Sequence, residues 1–173
     1  YTATDSTGNA TDCVFTVTVR DTTAPVIAGC PSDITQANDA SSCSAVVNWT
    51  EPTASDNCNV TLTSTHNSGD TFIVGETAVT YTATDSTGNT DVCNFTVTIN
   101  DEENPVIANC PADRSEFNTT GQCDALVGWI EPTASDNCGV TSFTSNHLPN
   151  EIFPVGVTEI VYVAIDSSGN TDT

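Results

Sequence analysis

The eight cysteines of this 173-residue chain form two sets of four, and each member of the second set follows its counterpart by 80 positions. The first set is Cys13, Cys30, Cys43 and Cys58, and the second is Cys93, Cys110, Cys123 and Cys138. The octapeptide EPTASDNC at 51–58 returns unchanged at 131–138, and YTATDSTGN at 1–9 returns unchanged at 81–89. Self-similarity at a fixed period is typical of tandem structural units. The sequence therefore predicts a repeat of about 80 residues.

This period divides the chain into three parts. We predict the C-terminal strands of a truncated repeat at 1–20, a complete repeat at 21–100, and a repeat lacking its last strand at 101–173. Because the chain starts and stops within a repeat, we expect a segment of a longer tandem array. Units of this size bury only a modest core and commonly gain stability from cross-links.

Apolar and polar residues alternate with a period of two in several short segments. The clearest are CVFTVTV at 13–19, CSAVVNW at 43–49, AVTYTATD at 78–85 and CNFTVTI at 93–99, and Asx/Gly turns such as DSTGN separate them. This alternation is typical of half-buried strands, and no segment has helical periodicity. The sequence predicts an all-β fold with one β-sandwich in each repeat.

Two aromatic positions fit an immunoglobulin-like or fibronectin-III-like sandwich. A tryptophan, Trp49 or Trp129, ends the predicted second strand, and a tyrosine, Tyr81 or Tyr162, begins the next-to-last strand. The tyrosines are expected either to form a tyrosine corner or to serve simply as large core residues.

The charge balance excludes some functions. The chain has 23 acidic residues, two arginines and no lysine, which gives a net charge of -21. Binding to nucleic acid requires the opposite sign, so we exclude it. No apolar run reaches the roughly 20 residues that span a bilayer. The cysteines lie far apart and without the close Cys-x2-4-Cys pairs of zinc sites, which favours disulfides in an oxidising compartment.

The order of motifs along the chain resembles the hyalin repeat, or HYR module. The elements are a Cys-Pro step in PVIAGCPSDI, the segment WTEPTASDN, the segment FIVG, the strand and turn YTATDSTGN, and the strand CNFTVTI. The match covers 21–100, most of 101–173 and the terminal piece 1–20. The resemblance implies an extracellular immunoglobulin-like module of adhesive or matrix proteins, often in tandem, without catalytic residues. The segment TSFTSNHLPNEIF carries one extra residue, so the mid-repeat loop of the second long repeat should differ.

Four cysteines in a repeat allow three pairings, and the sequence does not choose among them. The topology of such sandwiches often places the first and last strands side by side, which favours Cys30 with Cys93. The remaining pairs would then be Cys43 with Cys58 and Cys123 with Cys138. Cys13 and Cys110 would have partners outside the sequence, or Cys110 would bond a Cys13 equivalent in the next copy along a fibre.

Acidic residues recur in the loops that a sandwich would gather at the pole facing the preceding repeat. The candidate ligands are Asp21, Asp56, Asp85 and Asn89 at the first junction, and Asp101, Glu102, Glu103, Asp136, Asp166 and Asn170 at the second. Ca²⁺ takes six to eight oxygen ligands, so these residues form a candidate calcium site at each junction. The alternative is that these residues only form Asx turns, because Asp and Asn side chains bond their own backbone.

Other candidate sites are few. N-x-[ST] sequons, which would be glycosylated in a secreted protein, occur at Asn9, Asn48, Asn59, Asn94 and Asn118. His66 and His147 are expected to be loop residues, because no nucleophile–base motif accompanies either of them.

We therefore predict a structural or adhesive segment of a secreted or surface-attached tandem array, and not an enzyme. The alternative is an extracellular recognition module that binds a receptor or glycan through its loops. The expected partners are further repeats or neighbouring copies of the same chain, arranged in a fibre. Ca²⁺ is the single candidate cofactor.

Overall fold

The computed structural model describes residues 1–173 and contains strands and turns but no helix. The first 20 residues contain β1 (Thr2–Thr4) and β2 (Ala10–Asp12). The repeat 21–100 contains β3 (Val26–Ala28), β4 (Ile34–Ala37), β5 (Ser44–Val46), β6 (Thr53–Ser55), β7 (Val60–Ser64), β8 (Thr71–Ile73), β9 (Gly75–Asp85) and β10 (Thr90–Asn100). The repeat 101–173 contains β11 (Val106–Ala108), β12 (Asp124–Val127), β13 (Thr133–Ser135), β14 (Val140–Ser145), β15 (Glu151–Pro154), β16 (Tyr162–Asp166) and β17 (Thr171–Asp172).

The repeat 21–100 is a two-layered β-sandwich, as predicted. One layer is a four-stranded sheet in the order β4-β10-β9-β7. In this sheet β10 runs parallel to β4 and antiparallel to β9. The other layer consists of the antiparallel pairs β3-β6 and β5-β8.

The core lies between these layers, and period-two alternation produces it. Alternate residues of β10 (Cys93, Phe95, Val97 and Ile99) are buried, and they pack with Val79 and Tyr81 of β9. The opposite layer contributes Ala45, Val47 and Phe72. Apolar burial of this kind supplies most of the stabilisation of a sandwich.

The two aromatic positions are core residues and do not form a tyrosine corner. Tyr81 lies in the middle of β9, and its hydroxyl accepts a hydrogen bond of 2.9 Å from the indole nitrogen of Trp49. The same bond joins Trp129 to Tyr162 at 2.7 Å. A tyrosine corner bonds backbone instead, so the core alternative describes these residues.

The repeat 101–173 has the equivalent pairs, except that no strand corresponds to β4, and one of its pairs is irregular. Its pairs are β11-β13, β12-β15 and β14-β16-β17. The extra residue falls within β14, where the register shifts between Val140 and Ser142, and does not lengthen the following loop. Thr141 lies in this β-bulge and donates to the carbonyls of Ile165 and Asp166. A bulge accommodates one inserted residue without changing the rest of a sheet.

The predicted strand at 13–19 is absent from the structure. Residues 13–19 make no strand pairing, and Val14, Phe15 and Val17 are exposed. The equivalent residues of β10 pair with β9 on one side and β4 on the other. A strand depends on such partners for its backbone hydrogen bonds, so the alternating pattern alone does not produce one.

Candidate functional site at the junction between repeats

The junction between the two long repeats is closed by a disulfide. Cys43 of the first is bonded to Cys138 of the second, with a Cα–Cα distance of 4.8 Å. Cys43 ends the loop before β5, and Cys138 lies in the loop between β13 and β14. The bond joins residues 95 positions apart and therefore fixes one repeat against the next.

This bond replaces two of the expected pairs, Cys43 with Cys58 and Cys123 with Cys138. Cys43 lies at the end of its repeat that faces the following repeat, whereas Cys58 lies at the opposite pole, beside Asp21. Two cysteines at opposite ends of a sandwich cannot approach to the roughly 4.4–6.8 Å between Cα atoms that a disulfide requires.

The other disulfide joins Cys30 to Cys93 at a Cα–Cα distance of 5.8 Å, the pair that sandwich topology favours. It lies within the repeat 21–100 and connects the segment after β3 to β10. Cys13, Cys58, Cys110 and Cys123 are free and exposed.

Hydrogen bonds surround the disulfide between repeats. The amide nitrogen of Asn137 donates to the carbonyl of Ser42 at 3.1 Å. The Glu103 carboxylate accepts from the backbone nitrogen of Ser41 at 2.8 and 3.1 Å. Asn38 accepts from the backbone nitrogen of Glu102 at 3.3 Å. The loop 38–43 thus contacts both the linker and the acidic pole of the next repeat.

The acidic pole of the repeat 101–173 contains two carboxylates without a cationic partner. Asp101 is 6% exposed, and its oxygens accept hydrogen bonds of 3.3 and 3.4 Å from Glu103 and Ser168. Oδ2 of Asp136 accepts from the backbone nitrogen of Cys138, whereas Oδ1 is buried and has no partner. Carboxylate oxygens of Asp101 and Asp136 lie within 4.8 Å of one another.

The corresponding pole of the repeat 21–100 brings together Asp21, Asp56 and Cys58. Oδ1 of Asp56 is again buried without a partner. Hydrogen bonds from the Cys58 thiol, the Thr23 backbone nitrogen and the Asn57 amide lower the pKa of Asp21. The same bond to Asp21 raises the pKa of the Cys58 thiol, and burial and the neighbouring carboxylates raise it further.

The DSTGN and DSSGN turns account for four of the candidate ligands through ordinary turn chemistry. Asp85 accepts hydrogen bonds from Thr87 and Asn89, and Asp166 accepts the equivalent bonds from Ser168 and Asn170. Burial of each carboxylate opposes ionisation, but the hydrogen bonds outweigh it, so the pKa values of both aspartates lie below their ordinary value. These turns therefore favour the Asx-turn alternative.

The same turns hold the linkers in place. Asn89 donates to the carbonyl of Asp21 at 3.3 Å, and Asn170 donates to the carbonyl of Asp101 at 3.2 Å. Glu102 is exposed, and Glu103 is directed to Ser41, so neither belongs to the pair formed by Asp101 and Asp136.

A second pair of aspartates, at the same poles, has an anchoring role that the sequence pattern did not predict. The Asp91 carboxylate accepts from the backbone nitrogen of Ile27 at 2.8 Å, and Asp172 does the same for Ile107. Both follow a Gly-Asn-Thr step, which was the available signal. They attach the start of β3 or β11 to the last hairpin of the same repeat.

The five sequon asparagines are exposed, but their amide nitrogens differ. The amide nitrogen of Asn9 donates to the side chains of Asp5 and Thr7. The amide nitrogen of Asn118 donates to the carbonyls of Thr119 and Gln122. Asn94 instead accepts a hydrogen bond through its oxygen from Thr80. Asn48 and Asn59 lie on exposed positions beside β5 and β7.

The profile of the HYR domain matches residues 20–99 and 100–173. The chain belongs to the HYR family. It is therefore a tandem of HYR repeats, each with the cysteine and acidic positions described above. No helix of the structure has the length and apolar character needed to cross a bilayer.

Two of the relatives are hyalins. The HYR chain is 40% identical to hyalin of Strongylocentrotus purpuratus over 98% of its own length and 15% of that protein. It is 37% identical to hyalin of Lytechinus variegatus over its whole length and 34% of that protein. It is also 38% identical to a Rattus norvegicus protein, sushi, von Willebrand factor type A, EGF and pentraxin domain-containing protein 1, over 92% of its own length and 4% of that relative. The chain thus spans only a minor part of each of these relatives.

Proposed function

We propose that the chain is a structural, adhesive segment of an extracellular tandem array of HYR repeats, without catalytic activity. Residues 1–20, 21–100 and 101–173 each contribute to a separate repeat of this array. The observation that carries the proposal is the disulfide between Cys43 and Cys138, because it connects successive repeats covalently. Disulfides persist in oxidising surroundings, which supports an extracellular location.

A cross-linked junction suits a load-bearing strand. Pulling on the two ends transmits force through the bond, so the residues between Cys43 and Cys138, with a sequence separation of 95, do not lengthen the chain. The hydrogen bonds of Glu103 and Asn137 to the loop 38–43 span the same junction and restrict bending between the repeats. A recognition module would not require such a fixed angle between its repeats.

Single-molecule pulling tests this function. With both disulfides intact, we expect the extension between the two ends to exclude the residues between Cys43 and Cys138. Reduction should release the residues between Cys43 and Cys138, about 330 Å at roughly 3.5 Å per residue. Cys110→Ser is the matched control, since Cys110 is free and should change neither trace. An oxidised chain that extends as far as the reduced chain would overturn the proposal.

We also propose that Ca²⁺ binds at the acidic pole of each repeat. Asp101 with Asp136, and Asp21 with Asp56, would hold the ion. The support is the unpaired Oδ1 of Asp136 and of Asp56, which recurs in both repeats. A buried carboxylate oxygen without a partner is costly, and the chain has two arginines and no lysine to provide a cation.

Calcium titration of the melting temperature tests this proposal. At 100-fold excess over the dissociation constant, Ca²⁺ should stabilise the fold by about 2.7 kcal/mol. The dissociation constant should be about 10⁻⁴ to 10⁻³ M, as in other extracellular modules. Asp136→Asn should reduce the shift, because it removes a charge but retains the acceptor for Cys138, whereas Glu102→Gln should leave it unchanged. A native protein whose melting temperature ignores Ca²⁺ and EDTA would rule the site out.

Glycosylation is a further part of this proposal. Asn48, Asn59 and Asn94 are expected to carry glycans, since no hydrogen bond from their amide nitrogens holds them against the protein. Asn9 and Asn118 should be modified less, because a glycan would replace their amide hydrogen bonds. Peptide mass mapping of protein secreted from eukaryotic cells would measure the five occupancies, and equal occupancy would contradict the distinction.

A further inference from the structure

The free cysteines Cys58 and Cys123 occupy the same positions in their repeats as the bonded Cys138 and Cys43. We propose that Cys123 forms a disulfide with the Cys58-type residue of a following HYR repeat, and Cys58 with the Cys43-type residue of a preceding one. Disulfides within and between repeats would then alternate along the whole array. This inference rests on the proposed function, because it requires further repeats on either side.

The loop that carries Cys123 already has the conformation of the bonded loop. Asn118 donates to the carbonyl of Gln122 at 2.7 Å, as Asn38 does to Ser42 at 2.9 Å. The backbone nitrogen of Val155 donates to the carbonyl of Cys123 at 3.0 Å, and that of Val74 to Cys43 at 3.2 Å.

The turn within this loop is also shared. Gly121 has φ +83°, and Ser41, at the same place, has φ +59°. Such a left-handed conformation is unfavourable for serine and easy for glycine, so the fold imposes the turn in both repeats. Cys123 is therefore presented at the end of its repeat as Cys43 is.

The loop that carries Cys58 matches the receiving side of the bond. The backbone nitrogen of Cys58 donates to Asp56 at 2.8 Å, and that of Cys138 donates to Asp136 at 2.7 Å. The amide nitrogen of Asn57 lies 3.6 Å from the Cys58 sulfur, and that of Asn137 lies 3.6 Å from the Cys138 sulfur.

One contact differs between the two poles, and a docked loop would account for the difference. Asn137 uses its amide nitrogen to contact Ser42 of the neighbouring repeat, whereas Asn57 donates to the Asp21 carboxylate at 3.2 Å. Cys58 is exposed, while Cys138 is partly covered. A loop of the 38–43 type docked at this pole would cover Cys58 and take over the Asn57 amide.

Formation of each bond is a two-electron oxidation. The thiolate of one cysteine attacks a disulfide of the oxidant, a thiol–disulfide oxidoreductase or a low-molecular-weight disulfide of the secretory route, and forms a mixed disulfide. The thiolate of the second cysteine then displaces the oxidant sulfur. The two cysteines lose two protons and two electrons, and the oxidant leaves as two thiols.

We call this series of disulfides between successive repeats the ladder, and a tandem fusion of the chain tests it. Residues 1–12 correspond to 162–173, so residues 1–161 joined directly to a second full copy, 1–173, continue the repeat in register. Expression in a bacterial periplasm provides an oxidising compartment and avoids a glycan at Asn118. Peptide mass mapping without reduction then identifies each bonded pair.

The proposal expects a peptide that joins Cys123 of the first copy to Cys58 of the second. The free thiols should be Cys13 and Cys58 of the first copy and Cys110 and Cys123 of the second. Thiol labelling of the folded protein gives an independent readout, because Cys58 of the second copy should lose the reactivity that it has in the single chain.

Substitution of one partner sharpens the result. Cys58→Ser in the second copy should leave Cys123 of the first copy free and leave both Cys43–Cys138 bonds intact. Cys13→Ser in the first copy should change neither.

Two outcomes would overturn the ladder: a second copy in which Cys58 is bonded to its own Cys43, or free thiols at both Cys123 of the first copy and Cys58 of the second. Small-angle scattering separates this failure from failure of the proposed function. A stiff, extended particle with these thiols free would retain the array and reject only the ladder.

Discussion

The repeats 21–100 and 101–173 share most of their motifs but bury them differently. Ala45 and Val47 are fully buried, whereas their counterparts Ala125 and Val127 are partly exposed. In 21–100, β10 covers this part of the core, and residues 101–173 include no counterpart of the stretch 93–99. The comparison shows that the last strand completes the core on which the other strands of each sandwich depend.

The two acidic poles differ in a related way. Asp101 is buried, whereas Asp21 is only partly buried. Asp101 lies beside a complete preceding repeat, whose loop 38–43 is bonded to Cys138. The hydrogen bond from the Ser41 backbone nitrogen to the Glu103 carboxylate has no equivalent at the first junction. Threonine stands there at position 23, the counterpart of Glu103. Burial at the pole thus depends on the neighbouring repeat.

The largest expected difference between the repeats concerns their disulfides. Replacing Cys30 and Cys93 together by serine opens a loop with a sequence separation of 63 and should reduce the free energy of unfolding of 21–100 by about 4 kcal/mol. Cys110→Ser should have no effect on 101–173, because Cys110 is exposed and unbonded. Hydrogen exchange resolved by repeat in urea would measure both, and equal losses would break the comparison.

A matched pair of phenylalanines tests the difference in burial. The ring centroids of Phe72 and Phe153 each lie 6.0 Å from that of the tryptophan in their repeat. Phe72 is 2% exposed, whereas Phe153 is only half-buried. Phe72→Ala should cost about 3 kcal/mol, in the range for a buried phenylalanine. Phe153→Ala should cost roughly 1 to 2 kcal/mol, since less apolar area is lost. Denaturation followed by tryptophan fluorescence measures each, and a larger loss for Phe153→Ala would contradict the burial difference.

The hydrogen bond between tryptophan and tyrosine should be equivalent in both repeats. Tyr81→Phe and Tyr162→Phe each remove the acceptor of an indole N–H and should each cost about 1 to 2 kcal/mol. Equal losses in the free energy of unfolding for the two variants would identify a part of the core that does not depend on the last strand. Urea midpoints of the two variants would measure both, and losses that differ several-fold would show that this part too depends on burial.

The smallest expected effect is the loss of stability at low pH, and it should be the same in both long repeats. The pKa values of Asp85 and Asp166 are lowered in the fold by hydrogen bonds that offset burial. Their contribution to stability is therefore fully present above the unfolded pKa of about 3.9 and is lost as the pH falls through the folded pKa. The protection of the Thr87 and Ser168 amides, measured as their exchange rate relative to the unfolded chain at the same pH, should fall together below about pH 4.

The exposed turn at Asp5 provides a reference for this effect. Hydrogen bonds from the Asn9 and Thr7 side chains lower its pKa to about 2. Its turn should open only as the pH falls toward that value. Asp85→Asn and Asp166→Asn should each abolish the pH dependence of their own turn, and a dependence that persists in either variant would assign it to another group.

Much of the fold followed from the sequence because local patterns decided it. Alternation predicted β9 and β10, with Tyr81, Phe95 and Val97 facing the core. The Asp-Ser-Thr-Gly-Asn turns followed from side chains that bond their own backbone. The family was also evident, since ordered motifs in two long repeats resemble one module.

The tertiary structure alone decided which cysteines and carboxylates meet. Cys58 and Cys138 lie in identical octapeptides, so the sequence contains nothing that would choose between them as the partner of Cys43. The choice depends on which pole of the sandwich each loop occupies and on which repeat lies against it. The alternating segment 13–19 makes the same point, because a strand exists only where a neighbour satisfies its backbone. Local pattern sets what each segment can form, and contacts between distant segments determine which of these possibilities is stable.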